Sequence, residues 1–282
     1  MKIEVNNLFY SYDNKTYAVN DVTTSIKEGE FVAIVGHTGS GKSTFIQNLN
    51  ALLIPTKGKV TVDEFTIANK LKISNIKELR RKIGIVFQFP EYQLFEETVE
   101  KDILFGPKNF NLDKDNIANI AKEVINTVGL DESFLTKSPF ELSGGEKRKV
   151  AIAGILAFNP DVLIVDEPTA GLDPNASISM MNLFRKLNQQ GKTIILVTHN
   201  MDHVLEYANR VLVFKAASLK YEGTPIDLFS DLSLVKSLEI DVPNIINFVN
   251  IVSKKYPQIK EYKITCIADF ISAYKEVISL WH

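Results

Sequence analysis

The stretch that most restricts this chain is FVAIVGHTGSGKSTF, from Phe31 to Phe45. Its first five residues are apolar and rich in β-branched types, so they read as a buried strand. Glycines follow at Gly36, Gly39 and Gly41, then Lys42 and Ser43, then a helix-like run. This is G-x-x-x-x-G-K-S between a strand and a helix, the context in which the pattern carries chemistry. Glycines let the backbone curl so that its N–H groups converge, and the helix N-terminus adds its positive end. Gly36, His37, Thr38, Gly39, Ser40, Gly41, Lys42, Ser43 and Thr44 are therefore the expected cradle for the β- and γ-phosphates of a nucleoside triphosphate. Lys42 is expected to reach phosphate oxygens and Ser43 to ligate Mg²⁺. A chance glycine turn has no reason to carry Lys-Ser and a helix in this order. The loop fixes a triphosphate but does not say what its hydrolysis drives.

Around this loop, helix and strand signals alternate to about Lys215. KIGIVF, DVLIVDE and TIILVTH read as further buried strands, and GKSTFIQNLNALL and KDNIANIAKEVINTVGL as helices. The alternation predicts an α/β fold with a mostly parallel central sheet. IEVNNLFYSY and AVNDVTTSIKEGE predict antiparallel strands at the start. From Gly223 the pattern changes to short helices separated by prolines, so residues 1–222 and 223–282 are the expected divisions. In DFISAYKEVISLW, helical spacing aligns Phe270, Tyr274, Val277 and Trp281 on one face, either packed on the chain's own body or facing another subunit.

Composition narrows the partners. The 282 residues carry 32 Lys plus Arg against 34 Asp plus Glu, a formal charge of −2, which is no nucleic-acid surface. Cys266 is the single cysteine, so there is no disulfide framework and a reducing compartment fits. Four histidines, widely scattered, suggest no metal cluster. The longest apolar run, Val150 to Phe158, is too short to span a bilayer. No signal-peptide pattern opens the chain. A soluble, cytoplasmic chain that can sit on a membrane protein is expected.

DVLIVDEPTAGLDP adds a carboxylate pair. Asp166 ends a strand, where it can engage Mg²⁺ through water. Glu167 is aimed differently and can polarise an attacking water. Upstream, Ser143 can cap a helix whose first residues, Gly144 and Gly145, leave backbone donors open. One nucleotide already has its cradle at Gly36 to Thr44, so a second anion-binding end is best explained as facing another subunit's nucleotide.

With GHTGSGKST, Gln88, LSGGE, VLIVDE, AGLD and the His199 of VTH in order, the chain resembles an ATP-binding cassette ATPase. The resemblance implies a RecA-like parallel core, an N-terminal antiparallel subdomain, and a glutamine-loop and helical signature region over about residues 88–157. It implies a head-to-tail dimer with two ATP molecules, each held by one chain's phosphate loop and the other's LSGG. It assigns Tyr12 to adenine stacking, Gln88 to Mg²⁺ and the lytic water, Glu167 to water activation, His199 to the γ-phosphate and Asp173 to communication between sites. One residue departs from the pattern: Glu146 stands where the family usually has Gln. Pointed inward, its carboxylate is unfavourable beside a triphosphate, with Lys147, Arg148 and Lys149 available to offset it.

VFQFPEYQLFEETVEKDILFGPKN and VTHNMDHVLEYANRVLVF are similar to the energising ATPases of energy-coupling factor importers for vitamins or metals, closest to the second, A-prime type. That resemblance covers about Met1 to Phe229. It implies a second similar ATPase as heterodimer partner, a transmembrane coupling protein contacted near residues 89–106, a substrate-binding membrane protein, and a peripheral position on the cytoplasmic face. Phe89, Tyr92, Leu94 and Phe95 then form the docking pad, and the helices after Gly223 a second dimer contact. A conventional ABC transporter ATPase predicts the same cleft; a soluble repair or translation ATPase and a non-hydrolysing subunit are the remaining alternatives. The cargo is not readable, because selectivity belongs to another polypeptide.

Overall fold

The computed structural model describes residues 1–110 and 117–279. Two sheets organise it. In the first, β1 (Ile3–Ser11), β2 (Tyr17–Ile26), β4 (Lys57–Val62) and β5 (Phe65–Ala68) run in the order β2-β1-β4-β5, all antiparallel. In the second, β3 (Phe31–Val35), β6 (Ile83–Val86), β7 (Val162–Asp166), β8 (Thr193–Val197), β9 (Arg210–Lys215) and β10 (Ser218–Gly223) take the order β10-β9-β3-β8-β7-β6. Its pairs are parallel except for the β9–β10 hairpin at the edge. The structure thus has the expected α/β architecture, with an antiparallel sheet beside a parallel core.

Apolar faces explain the layering. A strand's side chains alternate between faces, and three hydrophobic clusters share them out. Leu163, Val165, Ile194 and Leu196 join the cluster under α3 (Val99–Asn109), α4 (Ile117–Thr127), α5 (Gly144–Leu156) and α6 (Pro174–Gln189). Val162, Ile164, Ile195 and Val197 face the cluster shared with the antiparallel sheet and α1 (Lys42–Leu49). All residues of β3 and β8 are buried, as strands covered on both faces must be. The helix α2 (Ile76–Lys82) leads directly into β6 and seals this second cluster with Leu79.

The segment after Gly223 forms α8 (Pro225–Ser230), α9 (Leu232–Leu238), α10 (Asn244–Val252) and α11 (Ile267–Ser279). Leu228, Phe229, Val235, Leu238, Phe270 and Val277 pack in one cluster with Ala33, Val35, Val211 and Val213 of the sheet and with α7 (Met201–Tyr207). Phe270 and Val277 are buried there and Tyr274 packs against the cluster, so the described part of the α11 stripe faces the chain's own body. Trp281 lies outside the described residues. Phe248, Ile251, Ile267 and Ile271 remain exposed. Among the described residues no helix is long and apolar enough to cross a membrane.

Candidate active site

The loop between β3 and α1 is held open by backbone conformations that side chains resist. Gly36 has φ 140° and Gly41 φ 102°. A Cβ on Gly36 would lie 2.1 Å from the carbonyl oxygen of Phe214, and one on Gly41 2.4 Å from that of Ala18. Neither position accepts another residue without moving backbone. Lys42 folds over this loop, its Nζ donating to the carbonyls of Gly36 at 2.6 Å and His37 at 2.8 Å. Burial pulls its ammonium below the ordinary lysine range, opposed by the charges of Glu167 and Asp166. The buried Ser40 hydroxyl has no hydrogen-bond partner.

The cavity above the loop, about 540 Å³, is lined by Tyr12, Ala18, Thr38, Gly39, Gly41, Lys42, Ser43, Thr44, Gln88, Asp166, Glu167 and His199. Strand ends deliver most of these groups. Asp166 ends β7, His199 follows β8, and Gln88 follows β6. All lie at the carboxyl edge of the parallel sheet, where such folds bind ligands. Burial first, and then the charge of Glu167, push the Asp166 carboxyl up to about 6, while Lys42 and Ser43 pull it down. Its Oδ2 is 3.5 Å from Ser43 Oγ, a long contact that leaves the hydroxyl loosely held. His199 Nδ1 lies 2.8 Å from Glu167 Oε1. Glu167 itself has φ 47°, a left-handed backbone that costs a non-glycine residue energy and recurs at functional sites. Its amide donates to the Val197 carbonyl at 2.9 Å, anchoring the turn across two strands.

Tyr12 stands at the mouth, 65% exposed, with its hydroxyl 3.1 Å from Thr44 Oγ1 and its ring edge-on to Tyr10. Of the other residues singled out in the sequence, Gly36, His37 and Ser40 belong to the loop but do not line the cavity. Ser143, Gly144, Gly145 and Asp173 lie outside that lining. Ser143 is the N-cap of α5, and Asp173 is the N-cap of α6, accepting from the amides of Asn175 and Ala176.

Two features escape the sequence reading. Ala18 brings its carbonyl against the loop, which no motif signals. Arg148 is not an exposed charge that offsets Glu146. It is 2% exposed and grips Glu91 through two bonds, Nε to Oε2 at 3.0 Å and Nη2 to Oε1 at 2.8 Å. Its Nη1 donates to the carbonyls of Pro168 and Ala170, just after Glu167. Arg148 therefore ties together the segment after Gln88, the LSGG helix and the turn that carries Glu167. Helical spacing held the clue: Arg148 shares a face with Ile152 and Leu156, both buried.

Glu146 points away from the expected ligand and back onto its own helix end. Its carboxylate accepts from the Ser143 amide at 2.8 Å and from the Ser143 hydroxyl at 2.7 Å. With the Glu146 amide returning to Ser143 Oγ at 3.4 Å, this completes a capping box.

Comparison with known proteins agrees with this geometry. The ABC transporter family profile matches residues 19–170. The Energy-coupling factor transporter ATP-binding protein EcfA2 of Lactococcus lactis subsp. cremoris is 51% identical over 237 residues, 84% of this chain and 82% of that protein. The solved structure of cbiO1 from Clostridium perfringens, part of the ABC transporter complex cbiONQ, is 37% identical with a TM-score of 0.74, covering 88% of this chain and 98% of that one. The ATP-binding cassette MJ0796, solved as a dimer in a post-hydrolysis state with ADP and Pi, is 33% identical with a TM-score of 0.69, covering 79% of this chain and 98% of that one. A phosphate cradle, a carboxylate pair at the sheet edge and these similarities agree: the chain belongs to the ABC transporter family, as one of its ATP-binding and ATP-hydrolysing subunits.

Proposed function

We propose that this chain is the A-prime ATPase of an energy-coupling factor importer, acting with Mg²⁺ at a nucleotide site completed by a second, similar ATPase. The carrying observation is the cavity that collects Tyr12, Lys42, Ser43, Gln88, Asp166, Glu167 and His199 while Ser143 to Gly145 stay outside its lining. One chain thus offers a cradle and, elsewhere, a separate helix end able to receive an anion. Two chains placed head to tail satisfy both, and pairing itself is supported by the similar cassette solved as a dimer with ADP and Pi.

ATP is the substrate. Lys42 and the amides of Gly39 to Thr44 hold its phosphates, with Lys42 exchanging its two loop carbonyls for phosphate oxygens. Tyr12 stacks on the adenine once its hydroxyl leaves Thr44. Ser43, Asp166 and Gln88 would hold Mg²⁺. The fit is favourable, because Asp166 is a half-buried acid crowded by Glu167 that a divalent cation would relieve. When bound, that ion neutralises charge on the phosphate oxygens. Glu167 orients the attacking water and accepts its proton, and the 2.8 Å contact with His199 steers both groups toward the γ-phosphate. Asp173, at the start of α6, lies on the path between the two sites.

Closure and reopening of the pair move the segment after Gln88. Of the expected pad, Phe89, Tyr92 and Phe95 are exposed, with Tyr92 at 85% and Phe105 exposed beside Phe95, which supports a membrane-subunit docking pad; Leu94 instead is half-buried and packs on the core. The exposed Phe248, Ile251, Ile267 and Ile271 support a second contact through residues 223–282 that keeps the two ATPases together after hydrolysis. The carboxylate assignment is tested by Glu167→Gln in the purified complex: ATP turnover is expected to fall at least about 100-fold while binding persists. Unchanged turnover removes Glu167 as the base. The importer class is tested by what co-purifies from solubilised membrane. A second ATPase and a small coupling protein are expected. A pair of dedicated permease subunits points instead to a conventional ABC transporter.

A further inference from the structure

We propose that Glu146 is a built-in competitor for the phosphate that the LSGG helix receives, so that the composite site completed by this chain's Ser143 releases its nucleotide faster than it would with a neutral residue at this position. This rests on the head-to-tail arrangement proposed above. The Ser143 hydroxyl has one proton to give, and it is already given to the Glu146 carboxylate at 2.7 Å. That length is typical of a hydroxyl bound to an ionised carboxylate, among the stronger classes of hydrogen bond. The Ser143 amide donates to the same oxygen at 2.8 Å. These two bonds, the hydroxyl first, hold the Glu146 carboxyl below the usual carboxylate range.

A γ-phosphate arriving at this helix end needs the same hydroxyl proton and the same positive end. To dock, it must break the charge-assisted bond, turn the hydroxyl outward and accept a second anion beside it. Among the described residues, no side chain bonded to Glu146 absorbs that charge. Arg148 is buried against Glu91 and cannot turn toward the helix end. Lys137 and Lys149 act on Glu146 only as minor contributions. The backbone around Gly144 and Gly145 is open, with no atom within 4 Å of where a Cβ would stand, so access is free and the competition is electrostatic, not steric. A neutral amide at this position keeps the shape and can still accept from Ser143. It holds the hydroxyl proton less tightly and brings no charge.

Glu146 is therefore a positioning residue acting through Ser143. The test uses the intact purified transport complex and a non-hydrolysable ATP analogue, reading release of each of the two bound nucleotides. In Glu146→Gln, one release phase is expected to slow about tenfold and the other to remain unchanged, with the thermal midpoint of the complex preserved. Glu146→Ala separates this from a capping role. Competition predicts slower release there too, whereas a purely capping role predicts faster release and a lower thermal midpoint. Unchanged or faster release in Glu146→Gln overturns the proposal while leaving the composite site intact. If the wild-type complex binds no analogue, or one nucleotide only, the two-site reading fails first and the competitor with it.

Discussion

The phosphate cradle and the exposed segment that follows Gln88 are held by different physics. The cradle is local. Gly36 and Gly41 adopt backbone conformations that only glycine accepts cheaply, and Lys42 bonds to carbonyls five and six residues away. The segment from Phe89 to Phe95 is held from a distance. Its Glu91 is gripped by Arg148, 57 residues later, and Arg148 also reaches Pro168 and Ala170. A cradle must present fixed donors, so rigidity inside one loop suffices. The proposed role of relaying movement needs the segment to feel α5 and the turn that carries Glu167 together, and one arginine touches all three.

The largest expected effect breaks the second arrangement. Arg148→Met leaves Glu91 partly buried without its partner and orphans two carbonyls. Removing one member of a buried pair costs roughly 3–5 kcal/mol. Urea unfolding of the full chain should show that loss, and Glu91→Leu added to Arg148→Met should recover much of it. A cost below about 1 kcal/mol for the single variant would mean that the clamp does not hold the segment.

Lys42→Met attacks the cradle with a different outcome. Lys42 is only half-buried and bonds two carbonyls of a loop that glycine conformations already shape. Stability should change little, while nucleotide affinity falls by about 1.5–3 kcal/mol, or roughly 10- to 150-fold, as for a lost hydrogen-bonding charge. Equilibrium binding of a fluorescent ATP analogue checks this. If stability fell as far as in Arg148→Met, the contrast between local and distant support would be lost.

Asp166 sharpens the comparison through pH. Its folded-state carboxyl is raised from 3.8 to about 6, chiefly by burial. Between those values the folded chain binds more protons than the unfolded one, so this group's contribution to stability falls as pH rises through the window. The penalty is complete above about pH 6. Asp166→Asn should therefore stabilise the nucleotide-free chain by about 2 kcal/mol near pH 7.5 and not at all near pH 4. Thermal melts at the two pH values decide it. An equal gain at both would place the effect in packing and not in charge.

The local region was readable before the fold was known, and the distant one was not. FVAIV, KIGIVF, VLIVD and TIILV announce buried parallel strands because each is a short continuous apolar run, and the glycines of GHTGSGKST carry their own conformational demand. Gln88, Asp166, Glu167 and His199 meet in one cavity because each sits where such a strand ends. The charge run EKRK hides Arg148, since three basic residues in a row read as a solvated face. Only the spacing to Ile152 and Leu156 marks the one that turns inward. The capping contact of Glu146 is equally hidden: S-x-x-E is a capping box by pattern, but beside LSGG the same carboxylate reads as aimed at a triphosphate. The stripe of α11 is visible from its period, whereas its burial in one cluster with Val35 and Val213 depends on residues distant in sequence, Val35 lying more than 230 positions before Phe270.

The smallest effect on the fold tests what the clamp is for. Tyr92 is 85% exposed and sits in a short 3-10 turn, beside buried Pro90 and clamped Glu91. Its ring lies tilted at 48° to the Phe89 ring, with centres 6.0 Å apart. Tyr92→Asp should shift stability by no more than about 0.5 kcal/mol, the usual range for an exposed position. ATP binding should also persist, because Tyr92 lines no part of the nucleotide cavity. Assembly with the membrane subunit, or transport by the assembled complex, should be lost, because a carboxylate is costly in an apolar contact. Co-purification and an uptake assay in reconstituted vesicles read this directly. A folded Tyr92→Asp chain that assembles and transports normally would show that the pad is ordinary exposed surface. One that loses ATP binding would show that the segment belongs to the cradle after all, and the two regions would be one.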